Sequence, residues 1–174
     1  MVCESGGSIH VAHSAFHIRS EEGEAFSIGG LSAVIKVRGE ATGGVSIVEH
    51  SLPPGYLGAA PHRHRNEDET TYVLEGELKV QLEETILKVR PGEFVHKPRG
   101  GLHAFWNAGE ETVRFLDVIT PGGFETYFEA LAKLVPVEGP PDIEAILALA
   151  ESYGLEFDLT HLEEFMRHHG LKLI

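Results

Sequence analysis

Between about residues 24 and 120, apolar and polar positions alternate in short runs: EAFSI, LSAVIKV, GVSIVEHSL, TTYVLEG, ELKVQLE, TILKV, EFVHKP, HAFWN and TVRFLDVIT. This is the period of half-buried strands, and the runs are rich in β-branched and aromatic residues. Turn formers separate them, among them Gly29-Gly30, Gly43-Gly44, Pro53-Pro54-Gly55, Pro91-Gly92 and Gly100-Gly101. Strands this short and this evenly spaced predict a barrel or a sandwich. After Pro121 the period lengthens. Thr120-Pro121 reads as an N-cap and first helical residue leading into GFETYFEALAKLV, which Pro136 and Pro140-Pro141 end. A second helix is predicted from Asp142, with Ile143, Ile146, Leu147 and Ala150 on one face and Gly154 at its end. A capping box, Thr160-x-x-Glu163, predicts a third to about His169. The expected architecture is mainly β. Residues 1–20 form a flexible N-terminal segment, 21–121 a β-barrel, and 122–174 a helical extension packed on it.

Composition narrows the classes of function. Hydrophobic residues make up 42% and charged residues 24%, as in ordinary globular chains. The formal charge of −13 repels a phosphate backbone. The nearest basic cluster, HRHR at 62–65, is followed at once by Glu67, Asp68 and Glu69, so no nucleic-acid partner is expected. No apolar run reaches the roughly 20 residues of a membrane span, and MVCESGGSIH lacks the basic and apolar regions of a secretory signal. With Cys3 as the one cysteine, a reducing, cytoplasmic setting is expected.

The chemistry concentrates in two segments. In the first, His62 and His64 are two apart, so on a strand both imidazoles share a face. Glu69 is an odd number of positions beyond and joins them only if RNED breaks the alternation as a turn or bulge. The second segment is GEFVHKPRGGLHAFWN, which brings His103. Three imidazoles and a carboxylate form a donor set suited to one divalent Fe, Mn, Ni, Co, Cu or Zn. Four protein ligands leave positions free for a substrate or O2.

Together the segments resemble the two motifs of the cupin superfamily. His62-x-His64-x4-Glu69-x6-Gly76 fits the first except for a displaced leading glycine, and Gly92-x5-Pro98-x-Gly100-x2-His103-x3-Asn107 fits the second at every fixed position. The wider stretch from GEAFSIGG to FETYFEALAKL looks like bacterial single-domain cupins related to quercetin 2,3-dioxygenases. The resemblance implies a double-stranded β-helix, or jelly-roll, barrel, usually dimeric. It also implies an oxidoreductase that cleaves a flavonol or another hydroxylated aromatic with O2. In that reading His62, His64, Glu69 and His103 hold the metal, and Glu69 also accepts the substrate's hydroxyl proton. Coordination makes a carboxylate a poorer base, so Glu69 would have to loosen from the metal as it did so.

Two other readings remain open: a non-enzymatic metal- or small-ligand-binding module, and a cupin isomerase. A sugar-nucleotide isomerase needs basic residues at the pocket, where Arg63, Arg65 and Arg99 are the near ones. No helix-turn-helix pattern precedes the strands, which argues against a transcription regulator. For the pocket wall, alternation places Phe105 on the face of His103, and Thr71 and Val73 on that of Glu69, with Trp106 turned away. Tyr72 and Leu74 then form an outward apolar stripe, which predicts a covering helix or a homodimer. His50 and His96 lie in strands and could line the cavity. His10, His13 and His17 could share a helical face, and His161, His168 and His169 suit the end of the last helix.

Overall fold

In a computed structural model, residues 15–136, 139 and 141–174 are described; residues 1–14 of the predicted flexible segment, with His10 and His13, lie outside them. Twelve strands and four helices follow in order: β1 Glu24–Ile28, β2 Leu31–Val37, α1 Gly39–Thr42, β3 Ser46–Leu52, β4 Tyr56–His64, β5 Asp68–Glu75, β6 Leu78–Leu82, β7 Thr85–Val89, β8 Phe94–Lys97, β9 His103–Trp106, β10 Val113–Thr120, α2 Glu125–Ala132, α3 Ile143–Ser152, β11 Leu155–Phe157, α4 Leu162–His169 and β12 Lys172–Leu173. No helix among the described residues is long and apolar enough to cross a membrane.

The mainly-β reading with a helical tail holds, but the barrel does not. The strands form two separate sheets, β1-β2-β3-β10-β5-β8 and β11-β4-β9-β6-β7 with β12 beside β4, and they are not closed into a barrel. Alternation tells which side of a strand is buried. It does not tell whether edge strands of opposite sheets pair, so the same pattern serves an open sandwich as well as a barrel. The edge β8 is only four residues long and runs into Pro98, which has no N–H to donate to a neighbour.

Strand alternation sets the core. Along β3 and β10 every second residue is buried, and Leu52, Val73, Val80, Phe105 and Phe115 meet between the sheets. The other faces are covered unequally. Trp106 turns away from the core onto Leu57 and Leu171, under Phe165 of α4. Tyr72 and Leu74 lie half-buried on the outer face of β5, with the Tyr72 ring against Phe94, itself 67% exposed.

Within the tail, the first and third helices start later than predicted. Thr120 does not cap a helix: it is the last residue of β10 and pairs with Asp68, so sheet register overrides the local signal. The helix begins at Glu125, whose carboxylate accepts from Gly39 N at 2.9 Å, Gly123 N at 2.8 Å and the Ser46 hydroxyl. Asp142 does cap α3, accepting from Ala145 N at 3.0 Å. Thr160 caps nothing, since α4 starts at Leu162 with no side-chain cap. The tail also adds strands that alternation did not reveal: β11 pairs with His62–His64 of β4, and β12 with Tyr56 and Leu57.

Candidate metal centre

β4 is the strand most disguised in the sequence, because YLGAAPHRH is rich in small residues. That smallness shapes the site. A Cβ at Gly58 would lie 2.1 Å from the Phe105 ring, so glycine lets the aromatic side chain settle across the strand. Register shifts flank Ala59 in the pairing of β4 with β9, and His62 then faces His103 directly. His62 and His64 both point inward, as the HxH spacing predicts.

The odd spacing to Glu69 has a simple cause. β4 belongs to one sheet and β5 to the other, so the chain crosses the core between His64 and Asp68. Three imidazoles come from one sheet, and Glu69 meets them from the opposite one. One donor atom from each of the four lies within 4.8 Å of the others, and all four residues are buried. His62 Nε2 is 3.2 Å from His64 Nε2, and Glu69 Oε2 is 3.6 Å from His64 Nε2 and 3.4 Å from His103 Nε2.

These separations suit a shared cation. Donors held roughly 2.0–2.2 Å from a metal lie about 2.9–3.6 Å from one another. Tautomers agree: Nδ1–H of His62 donates to Ala60 O at 2.7 Å, and Nδ1–H of His103 to Gly101 O at 3.0 Å. A carbonyl can only accept, so both Nε2 lone pairs face the cluster. Buried His103 Nε2 has no hydrogen-bond partner among the described residues. A divalent cation would resolve that, polarise a bound oxygen and lower its proton affinity.

Sequence reasoning missed the groups behind Glu69. Lys97, 1% exposed, places Nζ 2.8 Å from Glu69 Oε2 and 3.2 Å from Asp117 Oδ1. Thr71 donates its hydroxyl to the same Asp117 oxygen. Two carboxylates around one ammonium leave a buried net negative charge, which a divalent cation reverses. The signal was available. Lys97, Asp117 and His50 each occupy an apolar phase of their strand, among Val95, Phe115, Ile119, Val48 and Leu52. Burial opposes ionisation of Glu69, but Lys97, with His64 and His103, outweighs it and holds the carboxyl well below the usual range. As a proton acceptor Glu69 is thereby weakened further.

A cavity of about 520 Å³ opens beside the cluster. Phe105 lines it together with His62, His64 and Glu69, and Phe124, Phe128 and Phe157 of the tail line it too. Thr71 and Val73 are not among its lining residues; Thr71 serves Asp117, and Val73 is in the apolar core. His50 lines the cavity, whereas His96 is exposed and bonded to Thr70. None of the three arginines reaches it: Arg63 contacts Gly100 O, Arg65 contacts Glu156, and Arg99 contacts Asp68.

Burial pushes the imidazoles of His50 and His62 below their ordinary pKa, and for His62 the neighbouring His103 and His64 add to the shift. The sign of the pH dependence follows. Below about pH 6.5 the unfolded chain takes up protons that these folded imidazoles refuse, so acidification favours unfolding. Glu69, depressed in the folded state, extends the loss through the carboxylate range. The urea midpoint of metal-free protein should therefore fall from pH 7 to pH 5; a midpoint that rises would contradict the buried neutral imidazoles.

Comparison with known proteins agrees with the geometry. Residues 48–119 match the cupin domain model. Quercetin 2,3-dioxygenase of Bacillus subtilis (strain 168) is 29% identical over 122 residues, which is 70% of this chain but only 35% of that enzyme. Among solved structures, a predicted oxalate decarboxylase from Thermotoga maritima superposes with a TM-score of 0.57 at 23% identity, covering 61% of this chain and 99% of the other. KdgF from Halomonas sp. gives 0.56 at 22%, covering 63% and 97%. These likenesses speak for the fold, and the domain model covers the strands that carry all four clustered residues. The likeness to the cupin domain thus falls on residues 48–119, the span that carries all four clustered residues.

Proposed function

We propose that the protein binds one divalent transition metal through His62, His64, Glu69 and His103 and uses it to capture a small, mainly apolar ligand. One observation carries this reading: the cluster of three imidazoles and a carboxylate opens onto a cavity walled by apolar and aromatic side chains. Four protein donors leave a position for a ligand oxygen on a five- or six-coordinate metal. The cavity's lining also includes Ile143, Leu147, Leu159 and Leu173, which are 40–52% exposed. Apolar side chains that line a cavity and still reach solvent suit an apolar ligand.

The test is calorimetric titration of Zn(II)-loaded and metal-free protein with 2-naphthol, a rigid aromatic carrying one oxygen. One site per chain is expected, weakened at least about tenfold without metal. Equal affinity in both forms would remove the metal from the ligand site, and no binding to either would end the reading.

The sequence match to a quercetin 2,3-dioxygenase favours a second reading, in which the bound ligand is a hydroxylated aromatic cleaved with O2. This needs Glu69 to accept a proton, against the pull of Lys97. Oxygen uptake normalised to metal decides it. Glu69→Gln should lose roughly 10²- to 10⁴-fold in rate if Glu69 is the base, and normal turnover per metal would eliminate that role. An isomerase acting on sugar nucleotides gains no support, since no arginine lines the cavity among the described residues.

A further inference from the structure

Besides the four clustered residues, two that line the cavity carry buried polar atoms without a hydrogen-bond partner among the described residues: both ring nitrogens of His50 and the hydroxyl of Tyr127. Both residues are almost wholly buried, at 1% and 2% exposure. His50 stacks on Phe115 at 5.1 Å and meets the edge of Phe128 at 5.4 Å, and its Nε2 lies 3.5 Å from Asp117 Oδ2 without a hydrogen bond. Tyr127 sits among Phe124, Ile119 and Ala33. Leucine or phenylalanine would fill either place without an unpaired polar atom. Orphaned groups of this kind are rare in folded proteins because each is costly, so two lining one cavity call for a partner.

Their placement says what the partner is. Phe124 packs on His64 at 4.6 Å and on Phe128 at 5.4 Å, and Phe128 packs on His50. An aromatic wall from α2 thus runs from the metal-ligand cluster to His50, with Tyr127 stacked on Phe124 at 4.9 Å. We propose that His50 and Tyr127 form a second recognition point for a hydroxyl or carbonyl oxygen at the end of the ligand remote from the metal-ligand cluster. A neutral imidazole can accept from a hydroxyl or donate to a carbonyl, and the phenol can do either. The ligand class is therefore a compact apolar molecule with oxygens at two ends. This inference rests on the reading of the cavity as a ligand site.

The test compares 2-naphthol with 2,6-naphthalenediol on Zn(II)-loaded protein, by calorimetry and by thermal unfolding. The diol should bind about tenfold tighter, beyond the roughly twofold its symmetry supplies. Tyr127→Phe and His50→Leu should each bring the ratio of the two affinities, measured within the same variant, toward two. Without ligand, Tyr127→Phe should melt no lower than the wild type, because it removes only an unpaired hydroxyl. A ratio near two in the wild type, or one undiminished in both variants, would overturn the proposal. A lower melting temperature for Tyr127→Phe would overturn it too, by showing that the hydroxyl already has a partner. Should His50→Leu not fold, Tyr127→Phe decides alone. Failure of 2-naphthol itself to bind is a different result, which removes the ligand site altogether.

Discussion

His103→Ala and His62→Ala are each expected to lose stoichiometric metal while keeping the fold. Mutating a residue that merely orients a metal ligand commonly costs 10- to 100-fold in affinity, and removing a ligand should cost about 100-fold or more. Both side chains face the cluster, whereas the apolar core beside it is supplied by Leu52, Val73, Val80, Phe105 and Phe115. Alanine at position 62 also relieves the burial of an imidazole pushed well below its ordinary pKa, and at position 103 it removes a buried ring nitrogen without a partner, so the metal-free variants should be folded. Elemental analysis after equilibration with one equivalent of Zn(II), alongside circular dichroism, reads both effects. Full occupancy in both variants would remove these histidines from the site.

Lys97→Met is expected to be the most destabilising single change in the metal-free protein. The methionine fits the volume but leaves the Glu69 and Asp117 carboxylates buried without their shared cation. Breaking a buried ion pair by removing one partner costs about 3–5 kcal/mol. For a chain of this size that corresponds to a fall in Tm of roughly 6–20 °C. A divalent metal should restore part of the loss by supplying positive charge beside Glu69. A loss below about 1 kcal/mol would show that the three charges are not buried together as described.

The four clustered residues were legible because spacing encodes them. The HxH pair shares a strand face, and the second segment brings His103 to the neighbouring strand. Glu69 is out of phase with the pair because a break at 65–67 separates β4 from β5, as the polar RNED segment allows. Closure into a barrel was not legible, since alternation fixes the buried face and is silent on whether edges pair. Local helix signals failed at Thr120 and Thr160 and succeeded at Asp142. The Thr120 signal lost to sheet pairing. β11 and β12, three and two residues long, are too short for alternation to announce. His50, Lys97 and Asp117 show what a closer reading can use: a polar residue in the apolar phase of a strand marks a buried network or a ligand. Phase alone could not tell that Lys97 serves Glu69 and Asp117, while the ring nitrogens of His50 are left without a partner.

Three imidazoles and one carboxylate, drawn from opposite sheets, are proposed to hold a single metal ion. X-ray absorption at the zinc edge of protein loaded with one equivalent of Zn(II) reads that ligand set. A first shell of nitrogen and oxygen at about 2.0–2.2 Å is predicted, with outer-shell scattering from three imidazole rings that is lost in His103→Ala. A first shell of oxygen alone, without imidazole scattering, would contradict it.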